Sequence, residues 1–361
     1  MSRPRSRPLR EIAKEITTGR LEIAKQKLSE LPFAEVERNE SYADQFRIFA
    51  TAMAHRVSRR QIPESNIYLQ DHGTSQIQLF NLLASKVPLM SITRKIINSM
   101  LLALSAMETE LTLIDIGIGS GTQEVTLIQE LHRNKSALKK LTIVAIECQA
   151  SSLITADTTI RHAGIGAGLT VDIVRIPSKV EEMSDHDWAE IGKIQGPKIA
   201  LSSFALHHVS NAQQGEHRDQ VLRRLARLPV KGVVLAEPNS NHLSDNYLVR
   251  FDEAWHHFGA TFDMIDRLDL SKTERKSLKQ SFFGREILDI LGVPEPTRTE
   301  RHERITDWWK RLHQAGFKAI IHNAPLPNTD DSVIEVVPLM DHVAVEFNGV
   351  GILSIISARP R

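Results

Sequence analysis

The sequence predicts an α/β protein in which one sheet carries a separate group of helices. Five short β-type runs alternate with helical segments over residues 111–238, which is typical of βαβ units and a parallel sheet. Apolar residues recur with helical spacing over residues 9–108 and again over 251–291. Near the C-terminus, Asn348-Gly349 separates two apolar runs, and this dipeptide is the strongest short-range signal for an antiparallel hairpin.

The composition is that of an ordinary folded protein. The chain has 361 residues, of which 41% are hydrophobic and 25% are charged, enough for about two domains. Lys+Arg 45 against Asp+Glu 44 gives a net charge of +1, so there is no global basic field and no autonomous nucleic-acid binding is expected. The basic start RPRSRPLR is a candidate local patch, although a solvated tail is the simpler interpretation. No apolar run is long enough to span a membrane, so no membrane partner is expected.

The single cysteine, Cys148, excludes an intrachain disulfide and a multi-cysteine metal site. A lone thiol fits a reducing compartment, and the N-terminus lacks a secretory signal, so we expect a cytoplasmic protein with secretion by another route left open. We expect Cys148 itself to be a buried core thiol. None of the 15 histidines has zinc spacing with a cysteine, so no metal is expected. A homodimer is one option that the sequence leaves open.

The predicted strands follow one another with helices between them. In chain order they are LTLIDIG, LTIVAIE, LTVDIVRI, KIALSSF and GVVLAEP, then FKAII and the hairpin HVAVEFNGVGILSIISARP. A parallel sheet finished by an antiparallel hairpin resembles the Rossmann-type fold of class I methyltransferases. We therefore expect four parts: a first part of an all-helical cap at 1–108, the Rossmann-type methyltransferase core at 109–240, a cap insertion at 241–296, and the C-terminal helix and strands of the core at 297–361.

Three glycines follow the first predicted strand at every second position. Gly117, Gly119 and Gly121 come after Asp115, and glycines let the backbone approach a ligand beside a helix N-terminus. The spacing D-x-G-x-G-x-G differs from the GxGxxG of dinucleotide enzymes. It resembles the S-adenosylmethionine loop of class I methyltransferases, although a tight structural turn is the alternative. The resemblance implies S-adenosylmethionine as cofactor, with Asp115 toward its ammonium group and Glu147, at the end of the next strand, toward its ribose.

Further cofactor-binding candidates stand after the third and fourth strands. Ser178 lies where such enzymes often carry an acidic residue for the adenine, and here it would have to act with backbone groups. Ser203 and Phe204 end the fourth strand. Ligands of open α/β sheets lie outside the carboxyl ends of the strands, so these side chains would face the cofactor.

His207 and His208 are the predicted catalytic residues. A histidine near neutrality can take a proton from an acceptor hydroxyl or amine during methyl transfer, although histidines also cap helices and fill core niches. Glu237, Asn239 and Asn241 follow the fifth strand and are the predicted substrate-binding residues, with turns and helix caps as the alternative.

Longer stretches resemble one family. The segments that carry the resemblance are GRLEIAKQKLSEL, LTLID, FALHHV, AEPNSNHLSDNYLVRFDEAWHHFGATFDMID and REILDILGVPEPTRTERHERITDWWKRLHQAGF. They are similar, in order, to the leucine-rich opening, the VHIID core and the later blocks of GRAS-domain proteins, and the resemblance covers residues 10–361. It implies a Rossmann-type methyltransferase core with a helical cap built from the N-terminus and an insertion.

Two functions follow from this resemblance. Plant members typically lose the glycine loop, so its presence here, together with helical periodicity that starts almost at once, suggests a bacterial-type member that keeps a small-molecule site. We therefore expect an S-adenosylmethionine-dependent methyltransferase acting on a small molecule bound between core and cap. The alternative is a non-catalytic GRAS-type protein that senses a ligand or regulates transcription through partners.

Overall fold

The computed structural model describes residues 3–36, 40–58, 76–209, 217–294, 297–321 and 333–361. Within these residues, six helices precede the first strand: α1 (Arg3–Thr17), α2 (Leu21–Ser29), α3 (Phe33–Val36), α4 (Glu40–Ser58), α5 (Gln76–Lys86) and α6 (Pro88–Ser105). The basic N-terminal stretch is therefore part of a helix from Arg3 onward and is not a tail. None of the described helices combines the length and the apolar character that a membrane span requires.

The next elements alternate between strand and helix, as predicted. They are β1 (Glu110–Ile116), α7 (Thr122–Arg133), β2 (Lys140–Ile146), α8 (Ala150–Ala167), β3 (Thr170–Ile176), α9 (Asp185–Lys193), β4 (Lys198–Ser203), α10 (His217–Arg227) and β5 (Val230–Pro238). A second helical block follows, with α11 (Tyr247–Arg267), α12 (Lys272–Lys276), a π-helical turn (Ser277–Phe283) and α13 (Gly284–Gly292). The last elements are α14 (Ile305–Gln314), β6 (Phe317–Ala319), β7 (Glu335–Pro338), β8 (Val343–Phe347) and β9 (Val350–Pro360).

The nine described strands form one mixed sheet. Their order is β3-β2-β1-β4-β5-β9-β8-β7, and β6 also pairs with β9. Strands β1 to β5 are parallel, whereas β6 to β9 join antiparallel. The protein is thus a mixed α/β fold, and the carboxyl ends of β1, β2, β3, β4 and β5 meet at one edge of the sheet.

The central strands are buried on both faces. Along β1, Leu111 and Leu113 belong to one hydrophobic cluster, while Ile114 and Ile116 belong to another on the opposite face. Successive side chains of a strand point to opposite faces, so a strand apolar at nearly every position needs helices on both sides. Helices α7 and α8 and the N-terminal helices cover the first face, and α9, α10 and α14 cover the second.

The helical insertion packs on the N-terminal helices. Helix α11 lies against α1, and α13 lies against α4. Arg10 donates two hydrogen bonds from Nε and Nη2 to Asp252, and buried Gln45 donates from Nε2 to the carbonyl of Trp255 at 2.9 Å. Helix α6 was predicted to be part of the helical cap. It packs instead directly on α7, β5 and β9. The division into four parts stays a prediction.

The C-terminal hairpin has its turn at the predicted dipeptide. Asn348 and Gly349 have φ angles of 51° and 72° and join β8 to β9. Two residues in the left-handed region form the turn whose twist matches that of the flanking strands, and asparagine and glycine adopt it at the lowest cost. The neighbouring strand β7, which pairs with β8, was not predicted.

Candidate functional site

The glycine loop between β1 and α7 uses its three glycines for different purposes. All three have positive φ: 80° at Gly117, 55° at Gly119 and 77° at Gly121. A Cβ on Gly117 would lie 2.4 Å from the Cβ of Ala205, and one on Gly121 would lie 2.8 Å from Ile160 Cδ1. A Cβ on Gly119 would meet nothing within 4 Å. Packing therefore requires glycine at positions 117 and 121. Of the three, only Gly119 faces open space, as expected of a residue that contacts a ligand.

Two carboxyl groups meet beneath this loop. Asp115 near the end of β1 is 3% exposed, and Glu124 in the first turn of α7 is fully buried. Burial raises the pKa of both groups, and the neighbouring Glu124 raises that of Asp115 further. Neither carboxylate oxygen of Glu124 has a hydrogen-bond donor among the described residues. Two negative charges are therefore disfavoured at this position.

Glu147 connects the glycine loop to the end of β2. Its Oε2 accepts a hydrogen bond from the backbone N–H of Gly119 at 3.3 Å, and its Oε1 accepts one from Gln149 N at 3.0 Å. The side chain is half-buried, so part of the carboxylate still faces solvent. Cys148 is exposed in the same turn, and the expectation of a buried core thiol is wrong because the residue lies beyond the strand end.

The other predicted cofactor residues also lie at the carboxyl edge. Ser178 follows β3, and its hydroxyl donates to the carbonyl of Lys179 at 3.0 Å. Ser203 and Phe204 at the end of β4 are half-buried. Phe204 has a φ of 58°, a strained value for an aromatic residue, and its N–H donates to Ala236 O at 2.9 Å. The structure thus brings the predicted residues to one edge, with the β4 end packed on the glycine loop.

His207 lies behind this edge, in a short 3-10 turn that follows β4. Its Nδ1 lies 2.6 Å from Glu237 Oε2, and Glu237 Oε1 accepts from Leu206 N at 3.0 Å. Burial lowers the pKa of His207 to about 3 and raises that of Glu237 to about 8. A base that titrates near neutrality was expected here, whereas the structure holds the imidazole uncharged inside the protein.

His208 is partly accessible, with a side chain that is 26% exposed. Its Nδ1 lies 3.5 Å from Glu300 Oε1, and burial followed by the charge of His207 lowers its pKa to about 3. Neither predicted catalytic histidine therefore has a pKa near the working range of a general base.

Glu237 and Asn239, two of the predicted substrate residues, make contacts that hold elements together. Asn239 Oδ1 accepts from the N–H of Ile305 at 3.0 Å, which satisfies the first turn of α14. Glu237 is fully buried against the β4 end. Asn241 donates its backbone N–H to Glu253 Oε2 at 3.3 Å. That these three residues bind a substrate stays a prediction.

A buried polar loop was missed by the sequence predictions. Five of its side chains are at most 4% exposed: Arg298, Glu300, Arg301, His302 and Glu303. Arg218 is fully buried beside it and lies 3.1 Å from Glu303. The stretch TRTERHERI favours a solvated loop by charge density alone. The signal that could have revealed its burial is its position inside a block that resembles the GRAS family.

Comparison with known proteins identifies similar chains in plants. Residues 6–350 match the GRAS domain family. The GRAS family protein RAD1 of Medicago truncatula is 29% identical over 266 residues, covering 71% of this chain and 50% of that protein. Scarecrow-like transcription factor PAT1 of Arabidopsis thaliana is 28% identical over 227 residues, covering 58% of this chain and 44% of that protein. The chain spans about half the length of these curated relatives.

The fold is similar to that of a solved plant protein. The crystal structure of SCL7 in Oryza sativa superposes with a TM-score of 0.78 at 20% identity, covering 92% of this chain and 94% of that chain. At this identity the similarity shows the fold alone.

These similarities correct the predicted function and partners. The prediction of a methyltransferase acting on a small molecule is wrong, because the similar proteins are plant GRAS proteins and one is named a transcription factor. The predicted partners, a small-molecule substrate and no nucleic acid, are corrected by the same finding. A bacterial-type member is unsupported, since the relatives compared are from plants.

Proposed function

The chain belongs to the GRAS domain family, and from this premise we propose that it is a non-catalytic regulator of transcription. It acts by binding regulatory proteins and DNA, and it converts no substrate. The similarity to Scarecrow-like transcription factor PAT1 over 58% of the chain supports the regulatory role. The single thiol of Cys148, which is exposed, fits a protein that acts in a reducing compartment.

The burial of His207 carries the non-catalytic part of the proposal. A general base needs a pKa near the working pH and must reach the proton that it removes. His207 has a side chain that is 6% exposed, its pKa is lowered to about 3, and its Nδ1 is occupied by Glu237. It meets neither condition, and His208 has a pKa that is lowered to the same range.

The proposal includes S-adenosylmethionine as a bound effector at the glycine loop. The residues present fit this ligand, because Gly119 faces open space and the Glu124 carboxylate lacks a donor. Asp115 and Glu124 would hold the ammonium group of its amino-acid part, and the half-buried carboxylate of Glu147 would accept from its ribose hydroxyls. The strand order β3-β2-β1-β4-β5 is that of Rossmann-type sheets, whose ligands bind at this edge, which supports a methyltransferase-type core.

A tethered reporter assay tests the regulatory role. The chain is fused to a heterologous DNA-binding domain, and transcription from a matching reporter is compared in plant cells with that caused by the DNA-binding domain alone. We expect a several-fold change in reporter transcription at equal protein level. Equal transcription with and without the chain would contradict the proposal.

Calorimetric titration with S-adenosylmethionine tests the effector. Glu147→Ala should weaken binding by about 1.5–3 kcal/mol, the range for hydrogen bonds to a charged group. Glu190→Ala, a change of an exposed carboxylate on α9, serves as the matched control and should bind as the wild type does. The absence of binding heat for the folded wild-type chain would remove the effector from the proposal while leaving the regulatory role to the reporter assay.

A further inference from the structure

Three side chains from distant parts of the sequence meet inside the protein at the buried polar loop. Glu300 Oε2 lies 3.6 Å from His207 Nε2 and 3.2 Å from His302 Nε2. The ligand atoms of these three residues all lie within 4.8 Å of one another. The side chains are 6%, 0% and 1% exposed for His207, Glu300 and His302 respectively. We call this group the His-Glu-His cluster.

We propose that the His-Glu-His cluster binds a divalent transition-metal ion of the zinc type. Two ligands placed tetrahedrally at about 2.0–2.1 Å from zinc are about 3.3–3.4 Å apart. The separations of 3.2 Å and 3.6 Å bracket this value. Metal binding requires the His302 ring to move toward His207, so that the separation between their ligand nitrogens also reaches this value.

The hydrogen bond to Glu237 prepares His207 as a ligand. In the proposed metal-bound state the proton of the 2.6 Å contact between Nδ1 and Glu237 Oε2 lies on Nδ1, which leaves the lone pair of Nε2 for the ion. Nε2 lies 3.6 Å from Glu300 Oε2, close enough for both atoms to bind one ion. A carboxylate on the outer nitrogen is the usual support of a metal-binding histidine, since it fixes the tautomer and the ring orientation.

The surrounding charges leave room for a divalent ion. Arg218 and Arg311 are paired with Glu303 at 3.1 Å and 2.6 Å, and Arg311 also pairs with Asp219. These ion pairs engage the guanidinium groups of Arg218 and Arg311 with acidic partners other than Glu300.

A second layer of charge lies behind Glu300. Burial, followed by the negative charge of Glu300, raises the pKa of Asp289 to about 7 and raises that of Glu286. Arg298 carries the opposing positive charge in this layer. The pKa of His302 is lowered first by burial and by His208, and the charge of Arg298 lowers it further. It also acts on Asp289, whose pKa it lowers, so this arginine has an acidic neighbour of its own.

The cluster can be reached from solvent through His208. This side chain is 26% exposed while its ring lies 3.9 Å, centroid to centroid, from that of His207. The sequence predicted no metal because none of the histidines has zinc spacing with a cysteine. The ligands instead come from the β4 end and from the loop before α14, and only the fold brings them together.

Cobalt titration of the full chain tests the proposal. Co²⁺ reports a tetrahedral site by intense visible absorption, and the chain is first dialysed against a chelator and shown to be folded by circular dichroism. We expect one equivalent of Co²⁺ to produce the absorption and one equivalent of Zn²⁺ to abolish it. A folded wild-type chain that binds neither ion at one equivalent would overturn the proposal without reference to any variant.

Variants then assign the ligands. Glu300→Gln and His302→Gln should each raise the dissociation constant for Zn²⁺ by at least tenfold, and Glu237→Gln should raise it about 10–100-fold, the range for supporting carboxylates. His257→Gln is the matched control, because His257 is buried with its ring 5.9 Å from that of His302 but lies outside the cluster. Unchanged affinity in folded Glu300→Gln would overturn the assignment. If a variant does not fold, X-ray absorption of the zinc-loaded wild type decides, since imidazole scattering must be present.

Discussion

His207 Nδ1 lies 2.6 Å from Glu237 Oε2, and the two side chains are 6% and 0% exposed. This pair joins the ends of two neighbouring parallel strands, because His207 follows β4 and Glu237 lies in β5. Glu237 Oε1 is occupied as well, by the N–H of Leu206. Both oxygens of one carboxyl group are thus used to hold the turn after β4 in place.

Glu237→Gln is expected to destabilise the protein. The amide keeps one acceptor oxygen, so its NH₂ faces either the N–H of Leu206, which opposes two buried donors, or His207 Nδ1, which forces the imidazole into the tautomer protonated on Nε2. The expected loss in the free energy of unfolding is about 1–3 kcal/mol. Urea unfolding in the presence of a chelator measures it, with the exposed Glu190→Gln as control. A loss equal to that of the control would show that the pair contributes nothing to stability.

Acidification is expected to destabilise the fold through His257. Burial, followed by the charges of His302 and His256, lowers the pKa of His257 to about 3, whereas an unfolded chain has a histidine pKa of about 6.5. Below pH 6.5 the unfolded state therefore binds a proton that the folded state does not. The stability from this group is present above pH 6.5 and is lost as the pH falls, by about 2 kcal/mol at pH 5.

His257→Gln isolates this contribution. The variant should lose less stability than the wild type between pH 6.5 and pH 5, with a difference of about 2 kcal/mol in the free energy of unfolding. Urea unfolding at both pH values, in the presence of a chelator, provides the measurement. Parallel losses in the two proteins would mean that His257 is protonated in the folded state.

Gly117 and Gly119 are expected to respond differently to the same substitution. Asparagine tolerates positive φ, so Gly119→Asn, whose Cβ enters open space, should change stability by less than about 1 kcal/mol. Gly117→Asn places a Cβ 2.4 Å from that of Ala205 and should cost about 1–3 kcal/mol through overpacking. Thermal unfolding of the two variants compares them. Equal melting temperatures would contradict the packing role of Gly117.

Asn239→Ala is expected to weaken the start of α14. Its Oδ1 accepts the N–H of Ile305, and loss of such a helix-start hydrogen bond costs about 0.5–2 kcal/mol. Asn239→Asp keeps the acceptor and should retain most of the stability. Chemical denaturation of both variants checks this, and equal losses would show that the hydrogen bond is not the cause.

The sequence by itself determined the elements and the family. Strands β1 to β5, the helices between them and the turn at Asn348-Gly349 follow from apolar periodicity and from local backbone preferences, which depend on residues close together in the chain. The segments that resemble GRAS-domain proteins identified the family in the same way, because their order and local pattern can be read without knowledge of the contacts. The glycine loop was also recognisable, as was its position before a helix.

Only the tertiary structure decided what these residues do. Gly117 needs to be glycine because Ala205 packs on it, and the pKa of His207 is lowered to about 3 because the surrounding core buries its imidazole and the charge of His302 adds to this effect. Glu300 and His302 lie in a stretch whose charge favours exposure, yet both are at most 1% exposed. Burial is the sum of contacts with segments far away in the chain, and it sets the pKa of a group and the partners that it can reach. Local sequence pattern carries no information about such contacts. The methyltransferase activity predicted from the glycine motif was therefore wrong.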